Sequence, residues 1–236
     1  MDNNVDAVLA AARQGDVIRV STLIDENPAL ATASTMAGSQ PIHAAHFAGH
    51  QPVVEFLLSR GVSLDVGLAA ELGMLDRVER AVRADLVKAF GSTGSTLLHR
   101  ACYWGQVAVA RWLLANGAAP NAATRDNFLQ IRPLGCAVAT PDVPNPSDEE
   151  DAVLELVQML LDHGADVNGQ RRDGLTALHS AAYRGHLRVM RYLLQHGADA
   201  KIRGHAGAGP HAGQTAADMA LAQGQREAAS LLASVV

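Results

Sequence analysis

TALHSAAYRGHLRVMRYLLQHGADA, residues 176–200, reads as two short helices, each closed by a glycine. Thr176 is the cap of the first, because its hydroxyl reaches a free backbone N–H in the opening turn. Ala181 and Ala182 keep that helix thin, so a neighbour can approach closely. Gly185 ends it through a left-handed residue. Val189, Leu193 and Leu194 follow at i, i+4 and i+5 and give the second helix one buried face. Gly197 stops it in turn. A pair of helices this small cannot bury its apolar face alone and needs copies of itself on either side.

The copies are present. TLLHRACYWGQ (96–106) and QPIHAAHFAGH (40–50) both lie over TALHSAAYRGH (176–186). An apolar run follows each, VVEFLL (53–58), VARWLL (109–114) and VMRYLL (189–194), and then a glycine turn, RGVSLD (60–65), NGAAPN (116–121) and HGADAK (196–201). A fourth ending, LVQMLLDHGADVN (156–168), places Gly164 at a step of 33 residues before Gly197. Pro41 fits the first helical turn of its copy, where a missing N–H costs nothing.

This pattern resembles the ankyrin-repeat family, whose unit of about 33 residues carries a T-P-L-H-x-A signature. The resemblance covers nearly the whole chain. It implies an all-α solenoid of stacked helix-turn-helix units with projecting β-turn fingers, as one domain over 1–236. The units run as an N-terminal cap near 3–35, a repeat at 36–65, a degenerate unit at 66–91, repeats at 92–124, 125–170 and 171–203, and a C-terminal cap at 204–236. The short first unit and the degenerate internal one look like bacterial stand-alone ankyrin proteins.

Two units carry extra residues. PDVPNPSDEED (141–151) is an insertion whose three prolines argue against helix, while Ser147 to Glu150 reads as a capping box for the helix that follows. IRGHAGAGPHAG (202–213) reads as a flexible, glycine-rich finger.

Composition narrows the function classes. Hydrophobic residues make up 48% of the chain but aromatics only 4%, so the apolar content is mostly aliphatic and suits close-packed helices. A net charge of −5 leaves no broad basic surface for nucleic acid or membrane. Two cysteines, Cys102 and Cys136, do not make a disulfide scaffold. The opening MDNNVDAVLAAARQGD lacks a secretory pattern, and no 18-residue uncharged apolar run offers a membrane span. The expectation is a cytoplasmic, monomeric protein without a cofactor.

HAAHFAGH (43–50) offers the strongest case for an enzyme. His43, His46 and His50 stand at i, i+3 and i+7, and three imidazoles with an open position would make a catalytic zinc site. The repeat dissolves that pattern. His43 aligns with His99 and His179, which the resemblance implies are structural, bonding the turn and the capping residue. His50 aligns with His186, past the helix-ending glycine. Only His46 is particular to its unit; the others place Ala12, Ala70, Cys102, Val138, Ala182 and Leu221 there. Gly135 and Asp218 replace the structural histidine, and Arg132 replaces the threonine, so both units should lose that network and the array should be weaker around 125–150. His205, His211 and GHAGAG lack the strand–loop–helix setting of a phosphate cradle. The cysteines fall at or beside packing positions, and Ser180 has no nucleophile elbow around it.

The residues just before the helix-ending glycine carry more information. They are Phe47-Ala48, Tyr103-Trp104 and Tyr183-Arg184, so four of nine aromatics share one slot. In ankyrin-like arrays this slot faces the concave side, and interface hot spots are enriched in Trp, Tyr and Arg. Arg171, Arg172, Arg184, Arg188, Arg191, Lys201 and Arg203 cluster in one repeat, behind Asp148, Glu149, Glu150, Asp151 and Glu155. Arg171 and Arg172 on the finger, helped by Arg184, suit an acidic segment of a partner. The function read from the sequence is therefore recognition of a partner protein, as scaffold, inhibitor or stabiliser, through Phe47, Tyr103, Trp104, Tyr183, Arg184, Arg171 and Arg172, with no catalytic or metal residue. The alternatives are a metal-dependent enzyme built on His43 and His46, or a toxin-neutralising, immunity-type binder.

Overall fold

The computed structural model describes residues 3–34, 40–91, 93–126, 129–139, 146–205 and 209–234. Among them are fifteen α-helices and one isolated antiparallel bridge, Phe90 to Thr96. The chain divides into two compact units, residues 1–68 and 69–236.

The first unit holds α1 (Asn3–Gln14), α2 (Val17–Glu26), a 3-10 turn (Pro28–Ala31), α3 (Pro41–Phe47) and α4 (Gln51–Ser59). Two helical pairs stack, α1 on α3 and α2 on α4. Asp16 caps α2 by accepting the Arg19 N–H at 2.9 Å, and Pro41 opens α3 as its spacing predicts. Gly15 ends the α1 turn with φ +73°, and the His50 ring of the following pair lies across it. Any Cβ at Gly15 would stand 2.6 Å from that ring. His50 Nε2 meets the Arg13 carbonyl at 3.0 Å, so this ring ties one pair to the next.

The boundary falls in α5 (Val66–Glu71). The second unit continues with α6 (Leu75–Ala81), α7 (Ala84–Val87), α8 (Leu97–Tyr103), α9 (Val107–Ala115), α10 (Pro133–Val138), α11 (Pro146–Asp162), α12 (Ala177–Arg184), α13 (Leu187–Gln195), α14 (Ala216–Ala222) and α15 (Arg226–Ala233). The first helices α8, α10, α12 and α14 pack in series, and the second helices α9, α11, α13 and α15 pack in a parallel series behind them. Val189 and Leu193 of α13 are fully buried as the spacing predicts. The third core residue is Met190, also fully buried, while Leu194 is only half-buried.

The insertion resolves into helix at its end. Residues 140–145 lie outside the described residues, and α11 already begins at Pro146. Ser147 therefore sits inside the first turn and not at the cap. The proline takes the first helical position, where its lack of an N–H is no loss. At 17 residues α11 outruns its counterparts, and the extra turns set Glu150 and Asp151 against α13. The Glu150 carboxylate accepts the Arg188 N–H at 2.7 Å and the Val189 N–H at 3.4 Å, capping the next unit's helix, and Asp151 pairs with the Arg188 guanidinium.

Candidate functional site

The structural histidines set the frame in which the site is held. The Thr96 N–H donates to Nδ1 of His99 at 3.1 Å, and the Thr96 hydroxyl lies 2.7 Å from the same nitrogen. That leaves the proton on Nε2, which donates to the Ile131 carbonyl of the next finger at 3.1 Å. Thr176 and His179 repeat the arrangement at 3.2 and 2.9 Å, and the ring's far edge faces the Ile202 and Gln214 carbonyls, though outside standard hydrogen-bond geometry. Burial holds both imidazoles below their ordinary range, against the opposing pull of these carbonyls.

Where the histidine is missing, the two units differ: the last rebuilds the cap, contrary to the sequence expectation, and the 125–170 unit loses it as expected. In the last unit Asp218 does the capping work: it accepts the Thr215 N–H and hydroxyl, each at 2.8 Å, and its own N–H reaches back to the Thr215 oxygen. These bonds, with Arg203 nearby, hold its carboxyl below the usual range. In the 125–170 unit the cap is truly lost, but Arg132 donates to the Gln170 carbonyl of the next finger at 2.5 Å. Ile131 fills the place of the imidazole, so close that a Cβ on Gly135 would stand 2.9 Å from it.

Backbone bonds then link the fingers in order. The Arg125 N–H donates to Gly94, Arg172 to Leu129 and His205 to Asp173, at 2.7–2.8 Å. The glycine-rich finger is closed at its base, with Gly204 donating to Gln214 at 3.0 Å and Gly213 to Gly204 at 2.9 Å; residues 206–208 lie outside the described residues. On the opposite edge, Asn121 and Asn168 each bridge the following glycine turn, donating to Gly164 and Gly197 at 2.8 and 2.9 Å and accepting from Asp166 and Asp199 at 2.7 and 2.8 Å.

On this frame the aromatic slot is exposed. Tyr103 and Tyr183, near the ends of α8 and α12, are 40% and 41% exposed. Trp104 is half-buried and meets Tyr103 edge-to-face at 5.5 Å. Ala139 holds the same slot between them, directly after α10. Its small side chain leaves a hollow of about 200 Å³, lined by Ala139, Arg171, Leu175, Ser180, Tyr183, Arg184, His211 and Met219. Three of the residues singled out from sequence, Arg171, Tyr183 and Arg184, meet there. His211 was missed as a member, because the loop that carries it has no equivalent in other units; its ring stands edge-to-face with Tyr183 at 6.1 Å. Arg171 is braced by Asp173 of its own finger, through Nε at 3.0 Å and through Nη2, and this pair holds the Asp173 carboxyl low. Arg172 stands on the same finger with an exposed side chain. Phe47, 62% exposed in the first unit, packs its ring 5.8 Å from His46.

The histidine trio does not assemble. His50 sits at the start of α4 and His43 and His46 on α3. Burial, with the neighbouring His43 charge, pushes His46 down to about 4. Among the described residues no three His, Cys, Asp or Glu side chains are placed to hold a metal ion. Cys102 and Cys136 are buried free thiols; burial pushes Cys102 far up and Cys136 up to about 12. The charge clusters pair across units, Arg111 with Glu155 and Arg188 with Asp151, at exposed positions where such pairs add little stability. No helix among the described residues is long and apolar enough to cross a membrane.

The ankyrin-repeat family profile matches residues 37–67 and 93–125 singly and residues 149–235 as a three-repeat array. A probable E3 ubiquitin-protein ligase of rice (Oryza sativa subsp. japonica) is 30% identical over 82% of this chain. An E3 ubiquitin-protein ligase of Arabidopsis thaliana is 28% identical over 80%, and a serine/threonine-protein kinase of Mus musculus is 33% identical over 46%. The chain spans only 38%, 35% and 12% of the lengths of these relatives.

Proposed function

This chain belongs to the ankyrin-repeat family, whose repeats are protein–protein interaction modules, and from that premise we propose that it binds its partner through the slot that ends its first helices. The observation that carries the reading is the run Tyr103, Trp104, Ala139, Tyr183 and Arg184 across consecutive repeats, with large rings exposed at positions a solvated surface rarely fills. Arg171 and Arg172 extend it along the finger. Arg171, fixed by Asp173, is a preorganised cation, and an acidic partner segment complements it. Phe47 is a separate contact on the first unit. The chain acts as a cytoplasmic monomer without chemistry of its own. The relatives named as ligases and kinase are far longer than this chain, so those activities are not carried over to it, and the plant and mouse relatives lend nothing to a bacterial origin.

The test is affinity for a partner captured from the native cell. Trp104→Ala is expected to weaken binding by about 2 kcal/mol while leaving the far-UV signal intact. Undiminished affinity in a Tyr103→Ala/Trp104→Ala double variant would end this reading. The metal-enzyme alternative has no observation in its favour; stoichiometric zinc lost on His46→Ala would revive it.

A further inference from the structure

Asn168 ties one repeat to the next and is followed by glycine. We propose that Asn168–Gly169 is a self-modification site, shut while the 171–203 unit is docked and deamidated when that unit lifts away. The inference stands apart from the partner slot.

Asn–Gly occurs twice in the chain, at 116–117 and 168–169. It is the asparagine setting most open to attack from within, because glycine has no Cβ to crowd its own nitrogen. The Gly169 nitrogen bonds to the side-chain carbonyl carbon of Asn168 and gives its proton to hydroxide, and the amide nitrogen leaves as ammonia. Water then opens the five-membered imide to aspartate or isoaspartate. One water enters and one ammonia departs, and nothing is oxidised or reduced.

The fold blocks the first step. Nδ2 of Asn168 donates to the Gly197 carbonyl at 2.9 Å, and Oδ1 accepts the Asp199 N–H at 2.8 Å, both across the unit boundary. The attacking nitrogen is also engaged, since the Gly169 N–H donates to the Asp166 carbonyl at 3.0 Å. The side chain reaches Gly169 only when these bonds part, which requires the 196–199 turn to come away. Asn121 makes the same pair of bonds to the preceding glycine turn, at 2.8 and 2.7 Å, but is followed by Ala122, whose Cβ hinders attack. Asn116 supplies the opposite contrast. It is exposed at the end of α9, and its Nδ2 donates to the Trp112 carbonyl of its own helix at 2.8 Å. Fraying of one helical turn frees it without parting two units.

Redocking does not undo the change. A carboxylate at 168 still accepts the Asp199 N–H, but an oxygen replaces the Nδ2 donor and faces the Gly197 carbonyl, acceptor against acceptor. Isoaspartate further lengthens the main chain by a methylene. Each opening that is long enough to react leaves the repeat more weakly tied.

The test is peptide mapping by mass spectrometry of the full chain held in mild alkali, folded and in guanidinium chloride. In denaturant Asn116 and Asn168 are expected to deamidate at comparable rates, with Asn121 slower than both. In the folded chain Asn168 should react at least about tenfold more slowly than in denaturant, and more slowly than Asn116. Leu193→Val, in the buried face of α13, loosens the unit and should raise the Asn168 rate alone. Asn168→Asp should lower the urea midpoint. A folded Asn168 that reacts as fast as in denaturant or as fast as Asn116 overturns the gate. So does a Leu193→Val variant whose Asn168 rate is unchanged or whose Asn116 rate rises equally. An unchanged midpoint in Asn168→Asp overturns the lasting effect.

Discussion

Gly73→Ala should destabilise the chain more than Gly105→Ala, although the two glycines occupy the same repeat position with the same φ of +70°. Placing an L side chain in that left-handed conformation costs about 1–2 kcal/mol at either site. At Gly105 a new Cβ meets nothing within 4 Å, so strain is the whole cost. At Gly73 it would stand 2.2 Å from Oε1 and 3.0 Å from Cδ of Gln106. Gln106 lies there because its amide donates to the Glu71 carbonyl at 2.8 Å, tying adjacent units. The side chain must swing away, and losing that bond adds roughly 0.5–1.5 kcal/mol. Gly105→Ala is thus expected to cost about 1–2 kcal/mol and Gly73→Ala about 1.5–3.5 kcal/mol. Urea unfolding followed by far-UV circular dichroism reads both, and repeating the pair in a Gln106→Ala background removes the obstacle. There the two substitutions should cost the same. A gap that survives Gln106→Ala, or no gap in the parent chain, refutes the tether.

Other consequences are equally direct. His46, His99 and His179 all lie below the ordinary histidine value of 6.5 in the folded chain, so the unfolded chain binds more protons under mild acid. Stability should be full above that value and fall as pH drops from 6.5 toward about 4, and His46→Ala should flatten part of the slope in urea midpoints. A half-exposed His46 contributes less than its full shift implies. His99→Asp should retain the cap, as Asp218 does, but lose the bond to Ile131, and so cost less than His99→Ala by about 1 kcal/mol in the same unfolding assay. Cys102 and Cys136 should resist iodoacetamide in the folded chain and react in urea, as mass spectrometry will show; prompt labelling without denaturant would contradict their burial.

The helical pairs and the glycine stops were legible because each depends on residues three or four apart, and the capping role of His99 and His179 was legible only through the resemblance to ankyrin repeats. The same local logic showed that His50 lies beyond the helix that carries His43 and His46. It failed where a distant residue substitutes for a local one. Arg132 compensates for its lost cap only because the Gln170 carbonyl lies within its reach, 38 residues on. Glu150 caps α13 only because α11 packs beside it. Spacing within one unit says nothing about either.

The sequence by itself determined that this chain folds as stacked ankyrin-type helical pairs, since a thin helix, a glycine stop and an apolar stripe recurring at one interval have no other way to bury their surface. It also picked out the slot in which Tyr103, Trp104 and Tyr183 stand. Only the tertiary structure decided what that slot contains. A hollow exists because Ala139 sits between large neighbours on adjacent helices, and His211 joins it because a finger from the next unit folds across. Side chains that meet across units are set by packing between repeats, and no interval along the chain encodes that distance.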